Sequence, residues 1–230
     1  MSAQRIRVWF RKGERVRYIS HLDVLRFWER AIRRAGLPLA YSQGFTPHPR
    51  LAFASPLPLG FIGEAEIMDV TLEDRVDPGT FREQLAAQTS EDLRVVRAEE
   101  IPAGAPSPQA TLTWADYTVE LPNVALEAAE AAVADFLARE SYAWTDDRRE
   151  KARVVDLRAG VSRLAAERLE CGVHLAARLR AHQDMTIRPE HVVSALFPGC
   201  EPGRITRTAL LLEEPSPARE AWRRRGRFEE

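Results

Sequence analysis

Two histidines in the first fifty residues have side chains suited to acid–base or phosphate chemistry. His48 lies within residues 44–50 (GFTPHPR), where each proline restricts the residue before it to extended backbone. A histidine held in this way, with Arg50 two positions later, could contact a phosphate, transfer a proton or bind a metal. His21 stands in the first turn of a predicted helix, and the sequence leaves open whether the two histidines meet in space.

If His21 and His48 lay close together, they could cleave an RNA phosphodiester by acid–base catalysis, with Tyr18 or Lys12 assisting. The sequence carries no P-loop, dinucleotide-binding, serine-hydrolase or zinc-protease motif. The two cysteines, Cys171 and Cys200, cannot by themselves complete a zinc or iron–sulfur site. We therefore predict no cofactor and no metal ligands, and a protein that is more readily a binding protein than an enzyme.

Arginines recur on one face of the helix that is predicted to follow Ser20, and on one face of a strand predicted over residues 5–11. On the helix they form either a solvated face or a ridge that binds phosphate. On the strand they alternate with apolar residues and share their face with Trp9, an arrangement that could hold single-stranded RNA on a free sheet face. Alternatively, Trp9 packs beneath the second unit. The candidate nucleic-acid-binding residues are Arg5, Arg7, Trp9, Arg11, Arg26, Arg30, Arg33, Arg34, Phe45, His48 and Arg50.

Local patterns predict the order β-α-β-β-α-β in residues 1–101 and, less clearly, again in residues 111–214. The first unit has strands at 5–11, 37–42, 64–73 and 93–101, with a proline-rich excursion from Gly44 to Gly60. Residues 102–110 contain three prolines and no charge, as is typical of a linker, and residues 215–230 form a basic tail. In the second unit, residues 146–168 fit the pattern poorly. The predicted fold class is α+β, with two tandem ferredoxin-like units.

Charge is distributed unevenly along the 230 residues, although the formal net charge is only −1. Residues 1–50 carry eleven basic and three acidic side chains, whereas residues 51–150 carry seven basic and twenty acidic ones. Such asymmetry is typical of a protein with one face for a polyanion and another for solvent or a basic partner. The acidic residues Glu64, Glu66, Asp69 and Glu73 are expected on a solvated strand face. Because no apolar run is long enough to cross a bilayer and the N-terminal residues do not form a signal peptide, we expect a cytoplasmic protein with no membrane contact.

Several short motifs together resemble the radical-SAM-linked protein family of bacteria. They are residues 19–23 (ISHLD), 33–38 (RRAGLP), 44–50 (GFTPHPR) and 56–60 (PLPLG), followed by Glu66 and Asp69. The resemblance implies an accessory protein that works beside a radical SAM enzyme. The chain itself lacks the C-x-x-x-C-x-x-C motif that holds the four-iron cluster of those enzymes.

A more distant similarity links the chain to CRISPR repeat-processing endoribonucleases, which are tandem ferredoxin-like proteins with a catalytic histidine near the first helix. His21 has a compatible position, but residues 198–203 (PGCEPG) are a poor match to the glycine-rich loop of those enzymes. Three hypotheses follow: a non-catalytic accessory protein that binds tRNA or ribosomal RNA for a radical SAM partner, a metal-independent endoribonuclease using His21 or His48, and a protein–protein adaptor that binds no nucleic acid.

Overall fold

The computed structural model describes residues 3–146, 153–170 and 172–213. Within these residues the protein is a mixed α+β structure, in which five helices accompany one large mixed sheet and a separate two-stranded sheet. The basic tail predicted at residues 215–230 lies outside the described residues. None of the described helices combines the length and the apolar character needed to span a bilayer.

The first half of the chain supplies four strands and two helices. They are β1 (Gln4–Lys12), α1 (His21–Arg34), β2 (Leu51–Phe53), β3 (Ile62–Leu72), α2 (Pro78–Ala86) and β4 (Val95–Ile101). Helix α1 begins at a capping box, because the Ser20 hydroxyl accepts from the Asp23 amide and the Asp23 carboxylate accepts from the Ser20 amide. It ends just before Gly36, whose φ of +70° favours glycine at this C-terminal position.

The second half adds three helices and six strands. They are α3 (Pro108–Thr111), β5 (Leu112–Leu121), α4 (Leu126–Ala138), β6 (Ala143–Asp146), β7 (Arg153–Asp156), β8 (Val161–Leu169), β9 (Gly172–Arg180), α5 (Pro189–Leu196) and β10 (Ile205–Leu212). Strands β6 and β7 pair only with each other among the described residues.

The large sheet has the strand order β4-β1-β3-β10-β5-β9-β8. Its eighth strand, β2, is not part of this order and pairs with β3. Strands within each half are antiparallel. The two halves join through a short parallel pairing, in which Thr206 and Arg207 of β10 lie opposite Ile62 and Gly63 of β3. Strand β3 is therefore shared: its C-terminal part pairs with β2 and its N-terminal part with the second half of the protein.

Two parts of the chain differ from the sequence prediction. The strand predicted at 37–42 is reduced to two isolated bridges, Leu39 with Leu72 and Tyr41 with Pro49. The second strand of the first half is instead β2, inside the stretch predicted to be a proline-rich excursion.

The stretch 146–168, which fits no clear pattern, includes β7 and most of β8. Of the predicted linker, Pro108 to Ala110 begin α3, and Arg5 donates hydrogen bonds to the carbonyls of Ala103 and Ala105.

Each half of the protein has its own apolar core. In the first, Val24, Trp28 and Ile32 of α1 pack on apolar residues of β1 and β3, and the Trp28 and Phe10 rings meet edge to face with centroids 5.1 Å apart. In the second, residues of β5, β9, α4 and α5 form a larger cluster, which Trp9 of β1 also contacts. Helix α1 is thus fixed on its buried side, and its opposite side faces solvent.

Candidate nucleic-acid interface

Three arginines form an exposed row along the solvent side of α1, and we call Arg26, Arg30 and Arg33 the arginine stripe. Their spacing of four and three residues places them on one helix face. The nearest acidic contact is loose, with Arg26 Nη1 lying 3.9 Å from Asp23 Oδ1. Arg30 donates through Nε to the Arg26 carbonyl at 3.2 Å. The stripe therefore presents positive charge to solvent with little local neutralisation.

Arg34 takes a different direction from the stripe. Its Nη2 donates to the Gln88 carbonyl at 3.0 Å and its Nε to Gln88 Oε1 at 3.3 Å. Because Gln88 follows α2, these bonds connect the end of α1 to the end of the neighbouring helix. Arg34 has a structural contact that the stripe residues lack.

A short hairpin carries the segment with His48, and we call residues 42–48 the tip hairpin. Its base is closed by two hydrogen bonds, from the Ser42 amide to the His48 carbonyl at 2.8 Å and from the His48 amide to Ser42 Oγ at 3.0 Å. Gly44 has a φ of +133°, which lets the chain turn here. Phe45 at the tip is fully exposed, and the side chains of His48 and Arg50 also face solvent.

The tip hairpin lies beside α1. At its base the Tyr41 hydroxyl donates to Glu29 Oε1 at 3.2 Å, and burial together with this carboxylate raises the pKa of Tyr41. Beyond the hairpin, the Phe53 ring meets the His21 ring edge to face with centroids 4.9 Å apart. Because Glu29 precedes Arg33 by one helical turn and Arg33 also acts electrostatically on Tyr41, the base of the tip hairpin lies beside the C-terminal end of the arginine stripe.

The arginines of β1 have acidic partners on the neighbouring strand. Arg5 and Arg7 both donate to Asp69 at 2.7 Å, and Asp69 is only 2% exposed. Arg11 pairs with Glu64 at 3.1 Å. Trp9 packs against the second core and under the guanidinium of Arg97, 4.4 Å from the ring centre. These residues hold the sheet together, and an RNA contact by any of them stays a prediction.

Where the two halves of the sheet join, a buried ion pair connects β3 to β10. Arg207 donates from Nε to Glu66 Oε1 at 2.7 Å and from Nη2 to the other carboxylate oxygen, and both residues are at most 3% exposed. Burial opposes the charge of Arg207, but Glu66 raises its pKa overall. Gly63 leaves the room that this pair needs, because a Cβ there would lie 2.6 Å from Glu66 Cγ.

Lys12 and His21 lie close to this ion pair and line one small cavity with Glu66 and Ser55. Lys12 is 2% exposed, and its Nζ donates to the carbonyls of Arg17 at 3.0 Å and Ile19 at 3.2 Å. Burial lowers the pKa of Lys12 and of His21, while Glu66 acts in the opposite direction on both. The cavity measures about 10 Å³, which is room for about one water-sized group.

The two candidate catalytic histidines are separated by their surroundings. His21 borders this cavity, whereas His48 lies on the exposed hairpin. No hydrogen bond, ion pair or ring contact joins the two imidazoles in the part of the chain that the structure describes. Acid–base cleavage by His21 and His48 as a pair therefore has no geometric support, and Lys12 is the neighbour that His21 has instead. Within the same residues no cluster of three or more histidine, cysteine or carboxylate side chains could hold a metal ion.

Residues 5–189 match a family described as "Uncharacterized protein conserved in bacteria (DUF2344)". The chain belongs to this family. That description names no activity, substrate or partner, and a radical SAM enzyme as partner stays a prediction from the sequence. No curated protein matches the chain.

Among solved structures, a chain of a "Cbf5-Nop10-Gar1 Complex" is similar to this DUF2344 protein with a TM-score of 0.51 and 14% identity. The match covers 91% of this chain and 50% of that chain, so the protein spans half the length of the chain it matches. A likeness at this identity concerns the fold alone. A structure described as "an Unknown Protein from Galdieria sulphuraria" matches with a TM-score of 0.26 and 12% identity over 92% of this chain and 99% of that one.

The sequence interpretation missed the buried ion pair and misjudged its acidic member. Glu66 and Asp69 were expected on a solvated strand face, but they are 3% and 2% exposed and each accepts from arginine. A signal was present, because Glu66 shares the two-residue period of Met68, Val70 and Leu72, which are all buried. Arg207 is also a single charge within the otherwise uncharged strand ITRTALLL.

Proposed function

We propose that this DUF2344 protein binds RNA on the side formed by the arginine stripe and the tip hairpin, without catalytic activity of its own. The observation that carries the proposal is the row of three exposed arginines beside an exposed aromatic tip. Arginine provides planar, multidentate contacts to phosphate, and an exposed phenylalanine can stack on an unpaired base. His48 and Arg50 would add contacts near the tip.

The proposed role is to hold tRNA or ribosomal RNA for modification by a radical SAM enzyme. The partner enzyme enters through the sequence resemblance alone, whereas the RNA surface is also supported by the position of the tip hairpin, whose base lies against α1 near Arg33. The acidic stretch over residues 51–150 would dock the partner protein, a role that the adaptor hypothesis also gives it. If the protein bound no RNA, the adaptor hypothesis would take the place of this proposal.

We further propose that the two halves of the sheet are tandem ferredoxin-like units. The strand orders β4-β1-β3-β2 and β10-β5-β9-β8 support this interpretation. In each half the order of helices and strands along the chain then corresponds to β-α-β-β-α-β, if the small β6–β7 hairpin is an insertion.

Salt-dependent RNA binding tests the proposed surface. Replacing Arg26, Arg30 and Arg33 together by glutamine should weaken binding of a fluorescein-labelled single-stranded RNA, measured by anisotropy between about 50 and 200 mM salt. If each arginine contacts a phosphate, the slope of log K against log salt should become shallower by about 2, because each lost contact contributes about 0.7 on single strands.

A matched control removes the same charge elsewhere. Arg82, Arg163 and Arg168 are exposed, lie on other elements and make no ion pair among the described residues. Their replacement by glutamine should leave the salt slope unchanged. Equal losses in the two triple variants would show that only net charge matters, and an unchanged affinity in the stripe variant would reject this surface.

The metal-independent endoribonuclease is a second candidate, favoured by one observation: His21 lies beside Lys12 in the same cavity. Burial lowers the pKa of His21, so its imidazole is neutral near pH 7 and could accept a proton. RNA incubated with the protein in EDTA and resolved on a denaturing gel would be cleaved under this hypothesis, and His21→Ala would abolish the cleavage. Intact RNA at saturating protein supports the binding role alone.

A further inference from the structure

The cavity at the start of α1 encloses an excess of positive charge. Two buried cations, Lys12 and Arg207, meet a single buried carboxylate, Glu66, while the neighbouring His21 favours its neutral form. An uncompensated charge in a desolvated site is costly, because neither water nor a counter-ion offsets it. The site is therefore set up to gain from an anionic group.

Lys12 is positioned as the donor to such a group. An ammonium has three N–H groups, and the carbonyls of Arg17 and Ile19 take two of them. Both bonds fix the segment that leads into α1, which the Gly60 amide also holds through the Arg17 carbonyl at 2.9 Å. Arg207 is engaged by Glu66, Ser55 and Tyr117, so the third N–H of Lys12 is the donor that this cluster has left for a ligand.

The size of the cavity limits what can enter. About 10 Å³ accommodates a single oxygen atom between Lys12 and His21, and the rest of the ligand has to remain outside. Tyr18 and Leu22, on either side of His21 in sequence, are 71% and 62% exposed and could contact a sugar or base. The first turn of a 14-residue helix adds a favourable dipole for an anion at this position.

We propose that this cavity, lined by Lys12, His21, Ser55 and Glu66, binds one oxygen of a terminal phosphate monoester on the RNA. This inference rests on the proposed RNA-binding function and deepens it. A terminal phosphate carries a charge of about −1.5 to −2 at neutral pH, more than an internal phosphodiester, and so matches the excess charge better. The arginine stripe begins five residues further along α1, on the solvent-facing side of the helix, and would hold phosphates further along the RNA.

The test compares one RNA sequence with a 5′-phosphate, a 3′-phosphate or hydroxyl ends, in competition anisotropy with the full-length protein. We expect about tenfold tighter binding of one phosphorylated form, the scale of a charge-assisted contact. Lys12→Gln should remove this preference and leave affinity for the hydroxyl-ended RNA. Arg15→Gln is the matched control, because Arg15 is an exposed cation three residues away and should not affect the preference.

A second variant keeps the test valid if Lys12→Gln does not fold. Val24 lines the cavity, and Val24→Ile would place a methyl group where the oxygen is proposed to lie, with Lys12 intact. It should also abolish the preference. Equal binding of all three RNAs by the natural protein, or a full preference in Val24→Ile, would overturn the inference. Competition by inorganic phosphate without any end preference would identify free phosphate as the ligand and also overturn it.

Failure of this inference can be told apart from failure of the proposed function. Affinity for the hydroxyl-ended RNA and its salt slope report on the arginine stripe, whereas the ratio between phosphorylated and hydroxyl-ended RNA reports on the cavity. A protein that binds all three RNAs equally and loses affinity in the stripe variant keeps its proposed function and lacks the end-recognition site.

Discussion

Arginines of β1 and of α1 lie close together in sequence, yet the structure uses them in opposite ways. Arg5 and Arg7 on β1 are 16% and 14% exposed and share one buried carboxylate, Asp69. Arg26 and Arg30 on α1 face solvent, and the closest carboxylate contact is the 3.9 Å approach of Asp23 to Arg26. The residue type is the same, so the neighbouring element decides the role. A strand places a partner side chain directly across the sheet, whereas the arginines on the solvent-facing side of a helix have mainly one another as neighbours.

Arg207 extends this comparison to a fully buried cation, where we expect the largest effect. Replacing Arg207 by methionine leaves Glu66 charged and without its partner in the interior, and should lower the free energy of unfolding by about 3–5 kcal/mol. Urea denaturation followed by circular dichroism measures the loss.

The double variant sharpens that prediction. Arg207→Met combined with Glu66→Met removes both charges of the pair, and it should be more stable than Arg207→Met alone, because the buried carboxylate that lost its guanidinium partner is gone. A double variant less stable than the single variant would show that the pair itself, rather than the desolvated carboxylate, determines the stability of the β3–β10 join.

Asp69→Asn should have the next largest effect. The asparagine retains the shape but removes the charge that accepts from Arg5 and Arg7, so we expect a loss of about 2–3 kcal/mol in the free energy of unfolding. RNA affinity under native conditions should be unchanged if the β1 arginines serve only the sheet. A clear change in RNA affinity at full folding would instead place the β1 face in the binding surface.

Helix α1 could be predicted almost completely, because its signals are local. The Ser20 and Asp23 capping box, the apolar period of Val24, Trp28 and Ile32, and the terminal Gly36 all lie within seventeen consecutive residues. The strand β1 was equally clear from its two-residue period. The mixed α+β class follows from such elements.

The burial of Glu66 had a local signal, but its pairing with Arg207 could not be predicted, because the two residues lie 141 positions apart and meet only through the parallel join of β3 and β10. The position of β2 was missed for a related reason. Its three residues, Leu51–Phe53, are too few to show a period, and their pairing depends on the C-terminal part of β3. The cavity beside Lys12 could not be predicted for the same two reasons, because Ser55 follows β2 and Glu66 belongs to the ion pair.

The pH dependence of stability tests whether His21 belongs with the buried groups. Burial lowers the pKa of His21 in the folded protein below that of the unfolded chain, so the unfolded state binds its proton more readily. The stability contributed by the neutral form is present above about pH 6.5, the ordinary histidine pKa, and is lost as the pH falls below that value.

His21→Gln should therefore flatten the decline in the free energy of unfolding between about pH 7 and 5, measured by urea denaturation at each pH. His48→Gln is the natural control, since His48 is exposed on the tip hairpin. The same flattening in both variants would separate His21 from the buried cluster and remove it from the proposed cavity.

Removing one arginine of the stripe should have the smallest effect on the free energy of unfolding. It should stabilise the protein, whereas removing the carboxylate that pairs with Arg5 and Arg7 should destabilise it. Arg30 has Arg26 four residues before it and Arg33 and Arg34 three and four residues after it, and like charges at these spacings destabilise a helix. Glutamine has nearly the helix propensity of arginine, so Arg30→Gln should raise the free energy of unfolding by about 0.2–0.5 kcal/mol at low salt. The gain should disappear near 1 M salt, where the Debye length falls to about 3 Å.

Arg82→Gln on α2, where no charged residue lies three or four positions away, should be neutral under both conditions. A loss of stability in Arg30→Gln that exceeds the Arg82→Gln change would mean that the stripe, like Arg5 and Arg7, supports the fold, and its exposure would then no longer argue for a ligand.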